Sequence, residues 1–216
     1  MRSRAVLAGI AALAFSVLTI VGLLWSEPPG GSYSANDAAK YVARGHHTAI
    51  FVSAYLLLLA TFGLIWLLAY LREIGFAAST ETWLARVFWG TGLCAAASLA
   101  VGWSLMLGVA MSTAFGGHSV TLAPNVTYVL VEVGSAAVWG AGAFLLGLAL
   151  IALSAAGAAV FPAWLRVATA IAGIGGITGV AFFPSGLLIL WGLAVGLWLV
   201  FAGQRVADPA IAVAGT

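Results

Sequence analysis

One acidic side chain lies inside an otherwise apolar stretch of this chain, and it is the first candidate for chemistry. Glu132 is the only carboxylate within any apolar stretch. On a helix it shares one face with other polar or aromatic side chains: Tyr128, Ser135 and Trp139. An ionised carboxylate in lipid is unfavourable by about 2.5 kcal/mol or more, so it usually faces a bundle interior or a water-filled cavity. Either Glu132, Ser135 and Tyr128 form a ligand or ion site, or Glu132 is a protonated or hydrogen-bonded residue that locks its helix to a neighbour.

The three histidines are the second candidate, as ligands of a metal ion or a haem. His46 and His47 precede the second apolar stretch, and His118 precedes the fourth. Imidazole binds Zn, Cu and Fe, and two histidines on opposed helices can hold a haem. The hypothesis is an outer-face site built from His46 or His47 with His118 and Glu132. No ligand repeat supports it, so the alternative is that these are ordinary polar residues at the membrane boundary.

The sequence lacks the short motifs of hydrolases, metalloproteases and nucleotide-binding loops. It contains no G-x-S-x-G, no H-E-x-x-H and no Walker-type glycine loop. The single cysteine, Cys94, gives neither a disulfide framework nor a C-x-x-C motif. We therefore expect no catalytic residues, interpret the protein as non-catalytic and assign no cofactor.

The composition predicts a membrane protein. Hydrophobic residues make up 63% of the chain and charged residues 6%, whereas a soluble domain carries roughly 25% charged residues. The formal net charge of +2 is too small to suggest a nucleic-acid partner. The expected partners are the lipid bilayer and other membrane protein subunits.

Six apolar stretches account for most of the chain. A helix rises about 1.5 Å per residue, so about 20 apolar residues cross the hydrocarbon core. We predict an all-α transmembrane bundle that forms a single integral membrane domain over 1–216, with 203–216 as a short cytoplasmic tail. The first stretch follows a basic start but exceeds the 7–15 residues of a signal-peptide core, so we expect an uncleaved helix. The predicted spans are 5–25, 48–71, 84–112, 126–154, 165–183 and 187–202.

The basic residues predict the orientation of the spans. Cytoplasmic loops carry an excess of Lys and Arg. With six spans and the N-terminus inside, only Lys40 and Arg44 fall outside. We therefore predict that both termini are cytoplasmic and that the protein is a multi-pass protein of a plasma membrane. The basic residues on the cytoplasmic side would be Arg2, Arg4, Arg72, Arg86, Arg166 and Arg205.

Small residues predict where the helices pack, because they allow close contact between backbones in a membrane. The fifth and sixth spans are expected to form a tightly packed hairpin, since each carries a G-x-x-x-G pair. These pairs are Gly175 with Gly179, and Gly192 with Gly196. The third span carries a row of small residues that predicts another packing surface: Thr91, Cys94, Ser98 and Gly102.

A short helix is predicted in the polar segment between the first two spans. The segment opens with Pro28-Pro29-Gly30-Gly31, which ends the first helix. Asn36 or Asp37 would then cap a helix that runs from Ala38 to Arg44.

Two C-terminal segments carry a resemblance to a known family. The first is Phe161-Pro162-Ala163-Trp164-Leu165-Arg166 followed by Ala172-Gly173, and the second runs from Leu187 to Gly203. Over about the last 60 residues the chain resembles uncharacterised actinobacterial integral membrane proteins with about six spans and a domain of unknown function. The resemblance implies a multi-span helical fold in the plasma membrane and transfers no catalytic residues.

Three functions remain open at this point. The leading interpretation is a non-catalytic accessory or structural subunit of a larger plasma-membrane complex, because the loops are short and visible chemistry is almost absent. The second is a small-molecule or ion transporter that uses Glu132. The third is a metal- or haem-dependent membrane enzyme with its site on the outer face.

Overall fold

The structure is a computed structural model, and it describes residues 2–26, 34–41, 47–76, 82–115, 123–157, 161–179 and 185–201. Each regular element within these ranges is a helix, which confirms the all-α prediction. The elements are α1 (Arg2–Ser26), α2 (Ala35–Tyr41), α3 (His47–Gly75), α4 (Thr82–Phe115), α5 (Pro124–Ser135), a π-helical segment (Ala136–Gly142), α6 (Ala143–Ala156), α7 (Ala163–Ile177) and α8 (Gly186–Phe201).

Among the described residues, four helical stretches are long and apolar enough to cross a membrane. They are Ser3–Ser26, Thr48–Gly75, Trp83–Gly108 and Pro124–Ala156, the last being one continuous rod of α5, the π segment and α6. Helices α7 and α8 contain 15 and 16 residues, which corresponds to about 22–24 Å. Helix α7 ends at Ile177 rather than at the predicted Phe183. Its last turn closes because the Thr178 hydroxyl donates to the carbonyl oxygen of Ile174 at 3.0 Å.

Neighbouring helices run antiparallel. At the start of α1, Arg4 lies 3.4 Å from Glu73 at the end of α3. At the start of α7, the Arg166 Nε donates to the carbonyl oxygen of Ser154 at the end of α6, at 3.5 Å. Lys40 lies on α2, at the opposite end of the bundle. The arginines Arg4, Arg72, Arg86 and Arg166 therefore share one end, which we call the arginine end.

Glycines fix the closest approach of α6 and α7. A Cβ built on Gly147 of α6 would lie 2.5 Å from the carbonyl oxygen of Gly173 and 2.7 Å from the amide nitrogen of Ile177. A Cβ on Gly179 would lie 2.8 Å from the carbonyl oxygen of Trp139. Gly147 of α6 and Gly179, just after α7, therefore allow α7 to lie directly against α6 and the π segment.

The glycines of α8 face α1 instead of α7. A Cβ built on Gly196 would lie 3.0 Å from the carbonyl oxygen of Gly9. Helices α7 and α8 are joined by a buried hydrogen bond from Trp191 Nε1 to Thr169 Oγ1 at 3.0 Å. The prediction of a tight hairpin between the fifth and sixth spans is therefore wrong about which helix the α8 glycines contact. A G-x-x-x-G pair indicates a close neighbour without indicating which one.

The predicted row of small residues on α4 is only partly a packing surface. The Ser98 hydroxyl donates to the carbonyl oxygen of Ala137 at 2.9 Å, and a Cβ on Gly102 would lie 2.8 Å from the carbonyl oxygen of Gly134. Cys94, which was predicted to share this surface, is exposed. Each step of four residues turns a helix by about 40° beyond a full turn, so Cys94 is rotated by about 80° from Gly102.

Helix α2 is capped by Ser34 and not by Asn36 or Asp37. The Asp37 amide donates to Ser34 Oγ at 3.2 Å, and the Ser34 amide donates to Asp37 Oδ2 at 3.0 Å. This reciprocal arrangement is a capping box. The hydrogen bonds from Ser34 hold the pKa of the Asp37 carboxyl below its usual value, and Lys40 adds to this. The helix extends to Tyr41, and the remaining residues of the predicted helix, 42–44, lie outside the described ranges.

Candidate functional site

The stripe of Tyr128, Glu132, Ser135 and Trp139 lies beside the fully buried face of α5. That face consists of Thr127, Val131 and Gly134. Glu132 is partly buried and lies about 12 Å along the helix from Pro124. Within the described ranges it makes no hydrogen bond and no ion pair. Glu132 is therefore a partly buried carboxyl group that forms no ion pair with any cation among the described residues.

Ser135 and Trp139, the two residues of the stripe farthest from the α2 end, lie near the middle of the bundle. Ser135 Oγ lies 3.8 Å from the Met106 sulfur on α4. Trp139 packs edge to face on Trp103, with ring centroids 5.9 Å apart and an interplanar angle of 89°. Trp103 is buried. The stripe thus leads from the α2 end of the bundle to a buried aromatic pair. Tyr128, which is closer to the α2 end than Glu132, is partly buried.

A π-helical segment changes the course of the stripe. The prediction placed Trp139 on the face of Glu132 by assuming one α-helix throughout, but Ala136–Gly142 is π-helical. The Ala137 carbonyl oxygen within this segment accepts the Ser98 hydroxyl at 2.9 Å. Local π-helical turns are rare in proteins, and those that do occur are often found at functional sites. No sequence signal that we used predicts this segment.

A central cavity adjoins the π segment. Its volume is about 30 Å³, which is room for about two water molecules at 10–15 Å³ of such volume each. The hydroxyls of Thr19 and Thr61 donate to carbonyl oxygens of their own helices, at 2.6 and 2.9 Å. Their protons are therefore committed, and the oxygens remain as acceptors. The lining is mostly apolar, and its polar members are Thr19, Thr61 and Ser185, beside the rings of Trp103 and Trp139.

Three buried hydroxyls at the α2 end were missed by sequence reasoning. Tyr41 Oη, Ser53 Oγ and Thr127 Oγ1 have no hydrogen-bond partner among the described residues. A buried polar group left unpaired costs about 1–3 kcal/mol, so such groups favour a bound water or ligand. Burial raises the pKa of Tyr41 to about 12, against a smaller opposing effect of the neighbouring Ser26. Tyr41 therefore remains a neutral donor at physiological pH.

The proposed histidine site lies largely outside the described ranges. His46 and His118 are not described, and of His47 only the backbone is. In the part of the chain that the structure describes, no three His, Cys, Asp or Glu side chains come together as metal ligands. A metal or haem site at His46, His47 and His118 stays a prediction.

Comparison with protein-family models, with curated proteins and with solved structures finds no match for this chain. The resemblance to actinobacterial membrane proteins stays a prediction. What the protein does is therefore inferred from its own residues.

Proposed function

We propose that the chain crosses a plasma membrane six times with both termini in the cytoplasm. Support comes from the four long apolar stretches and from the antiparallel order, which collects four arginines at one end. Helices α7 and α8 are a few ångströms shorter than the hydrocarbon core of about 30 Å, a mismatch that flanking residues and local bilayer thinning accommodate.

We further propose that the protein moves a small molecule or an ion through the bundle by way of Glu132. The observation that carries this proposal is a partly buried carboxylate without a described cation. A carboxylate in a membrane span needs a proton, a cation or the positive group of a ligand to offset its desolvation. Binding of a proton, a cation or a positively charged ligand group gives Glu132 a role in binding as well as in structure.

Along the bundle, buried hydroxyls lie on one side of Glu132 and a small cavity lies on the other. Toward the α2 end lie the buried hydroxyls of Tyr41, Ser53 and Thr127, which favour a polar guest. Toward the middle, Trp139 borders the central cavity, whose lining is mostly apolar and includes the hydroxyl-bearing residues Thr19 and Thr61. Glu132 lies about 10 Å from Trp139 along the helix, and we propose that a guest moves between Glu132 and the cavity.

A carboxyl-directed reagent tests this proposal. Dicyclohexylcarbodiimide reacts preferentially with carboxyl groups that are shielded from water, so we expect mass spectrometry to find it on the partly buried Glu132 and not on the exposed Glu73. Vesicles containing the protein should conduct protons, sodium or potassium faster than protein-free vesicles, and the reagent should block this flux. Flux no faster than in protein-free vesicles for all three ions would contradict ion transport, and absence of the reagent from Glu132 would contradict a shielded binding carboxyl.

A second proposal, that the protein is a subunit of a larger complex, is favoured by the outer face of α4. This face presents Gly90, Cys94 and Ala97, and a Cβ built on Gly90 would meet nothing within 4 Å. Helix interfaces in membranes are enriched in small residues, so this face suits a transmembrane helix of another chain. Large exposed residues flank this small patch on α4 itself, at Trp83, Val87 and Val101. The exposed faces of α3, α7 and α8 carry large residues throughout: Leu59, Phe62, Ile171, Ile174, Leu190 and Leu197.

The single cysteine allows this association to be measured. A maleimide–diazirine cross-linker placed on Cys94 in native membranes should capture one protein at high yield. Gly90→Leu fills the face and should reduce the captured amount about tenfold, equivalent to about 1.4 kcal/mol. The matched control, Ala155→Leu on the exposed surface of α6, should leave it unchanged. Lipid adducts alone, or equal capture by both variants, would overturn the subunit proposal.

A further inference from the structure

An open groove runs between α1 and α3 from the arginine end of the bundle. Its volume is about 370 Å³, within the range of about 300–1,000 Å³ that small-molecule sites occupy. Its large side chains are well exposed, including Leu7 at 51%, Phe62 at 59% and Trp66 at 50%. The residues that line this α1–α3 groove are Arg4, Leu7, Phe62, Ile65, Trp66, Ala69, Tyr70 and Glu73.

One end of the groove carries two opposite charges. Arg4 Nη1 lies 3.4 Å from Glu73 Oε1, and the two side chains are 71% and 63% exposed. Exposed ion pairs contribute about 0–1 kcal/mol, so they rearrange readily when another charged group approaches. Arg4 and Glu73 therefore remain available to a ligand that carries both a negative and a positive group.

The rest of the groove has the length of one membrane leaflet. From Glu73 to Phe62 the α3 axis advances about 16 Å, and half of the hydrocarbon core is about 15 Å. Along this distance the walls are mostly apolar, with Tyr70 one turn from Glu73 and Trp66 about 10 Å from it along the helix. Trp and Tyr prefer the boundary between lipid headgroups and acyl chains. The groove thus matches an acyl chain that descends from a headgroup at its charged end.

We propose that the α1–α3 groove binds a phospholipid with an ethanolamine headgroup. The phosphate lies on the Arg4 guanidinium, the primary ammonium donates to the Glu73 carboxylate, and one acyl chain lies against Leu7 and Phe62. A purely anionic headgroup would meet repulsion from Glu73. A choline headgroup has no N–H to donate to the Glu73 carboxylate. The charge pair therefore selects the ethanolamine headgroup over both alternatives.

Native mass spectrometry of the full chain tests this assignment. The probes are phosphatidylethanolamine, phosphatidylcholine and phosphatidylglycerol with identical acyl chains. We expect one phosphatidylethanolamine to be retained about fivefold better than either competitor, which corresponds to roughly 1 kcal/mol. Arg4→Gln and Glu73→Gln should each remove this preference. Arg86→Gln, at the same end but outside the groove, should preserve it. Equal retention of the three lipids by the unmodified protein would overturn the proposal.

A photoactivatable phosphatidylethanolamine locates the lipid without any substitution. Cross-links should concentrate on peptides of α1 and α3 that contain Leu7, Phe62 and Trp66. Cross-links distributed equally over the exposed faces of α7 and α8 would contradict a specific site. Capture of another protein on this groove would contradict it too, because the groove would then be an interface between chains.

Discussion

Replacing Glu132 by Gln is expected to abolish ion or small-molecule flux in vesicles while leaving the fold intact. Gln keeps the size of the side chain but binds no proton and carries no charge for a cation. The fold should persist because Glu132 makes no described ion pair or hydrogen bond that Gln would break. The measurement is flux per reconstituted protein, with circular dichroism and elution volume in detergent to verify folding.

Two further variants separate a role in transport from a general effect of charge. Glu81→Gln removes a carboxylate outside the predicted spans and should leave flux unchanged. Glu132→Asp keeps the charge but withdraws it by one methylene, so flux should be reduced rather than lost. Unaltered flux in Glu132→Gln would end the transport proposal and leave Glu132 with a structural role. The subunit proposal, which depends on Gly90 and Cys94, would then lead.

Gly147→Val is expected to produce the largest loss of stability of any single substitution discussed for this protein. The new Cβ would meet the carbonyl oxygen of Gly173 at 2.5 Å and the amide nitrogen of Ile177 at 2.7 Å. Both are backbone atoms, which cannot move aside by changing a rotamer. Helices α6 and α7 must therefore separate, and overpacking of this kind typically lowers the free energy of unfolding by about 1–3 kcal/mol. We expect the upper end of that range.

The control for this substitution is the same change at an open position. A Cβ built on Gly108 of α4 meets nothing within 4 Å, so Gly108→Val changes helix propensity without a collision. The measurement is the midpoint of denaturation in a detergent mixture, followed by circular dichroism. Equal midpoints for Gly147→Val and Gly108→Val would show that α6 and α7 do not pack through Gly147.

The sequence by itself determined the class of structure and the position of its charges. Apolar stretches of sufficient length fold as helices in lipid because every backbone polar group must be paired internally. That constraint is local, so the four long apolar helices could be placed to within a few residues from composition and length alone. The lone carboxylate of Glu132 was visible for the same reason, since one charge in an apolar stretch needs no structure to be noticed. The capping box of Ser34 and Asp37 was equally visible, as Ser followed by an acid three residues later, and was overlooked.

The tertiary structure alone decided which helices meet and what lies between them. A glycine on a helix shows that a neighbour comes close, but the neighbour is set by all the surfaces that compete for it. Gly147 therefore meets α7, and Gly196 meets α1 instead of α7. The central cavity, the π segment and the α1–α3 groove arise where side chains distant in sequence leave space between helices. Their residues carry no shared sequence pattern, because volume between helices depends on packing over the whole bundle.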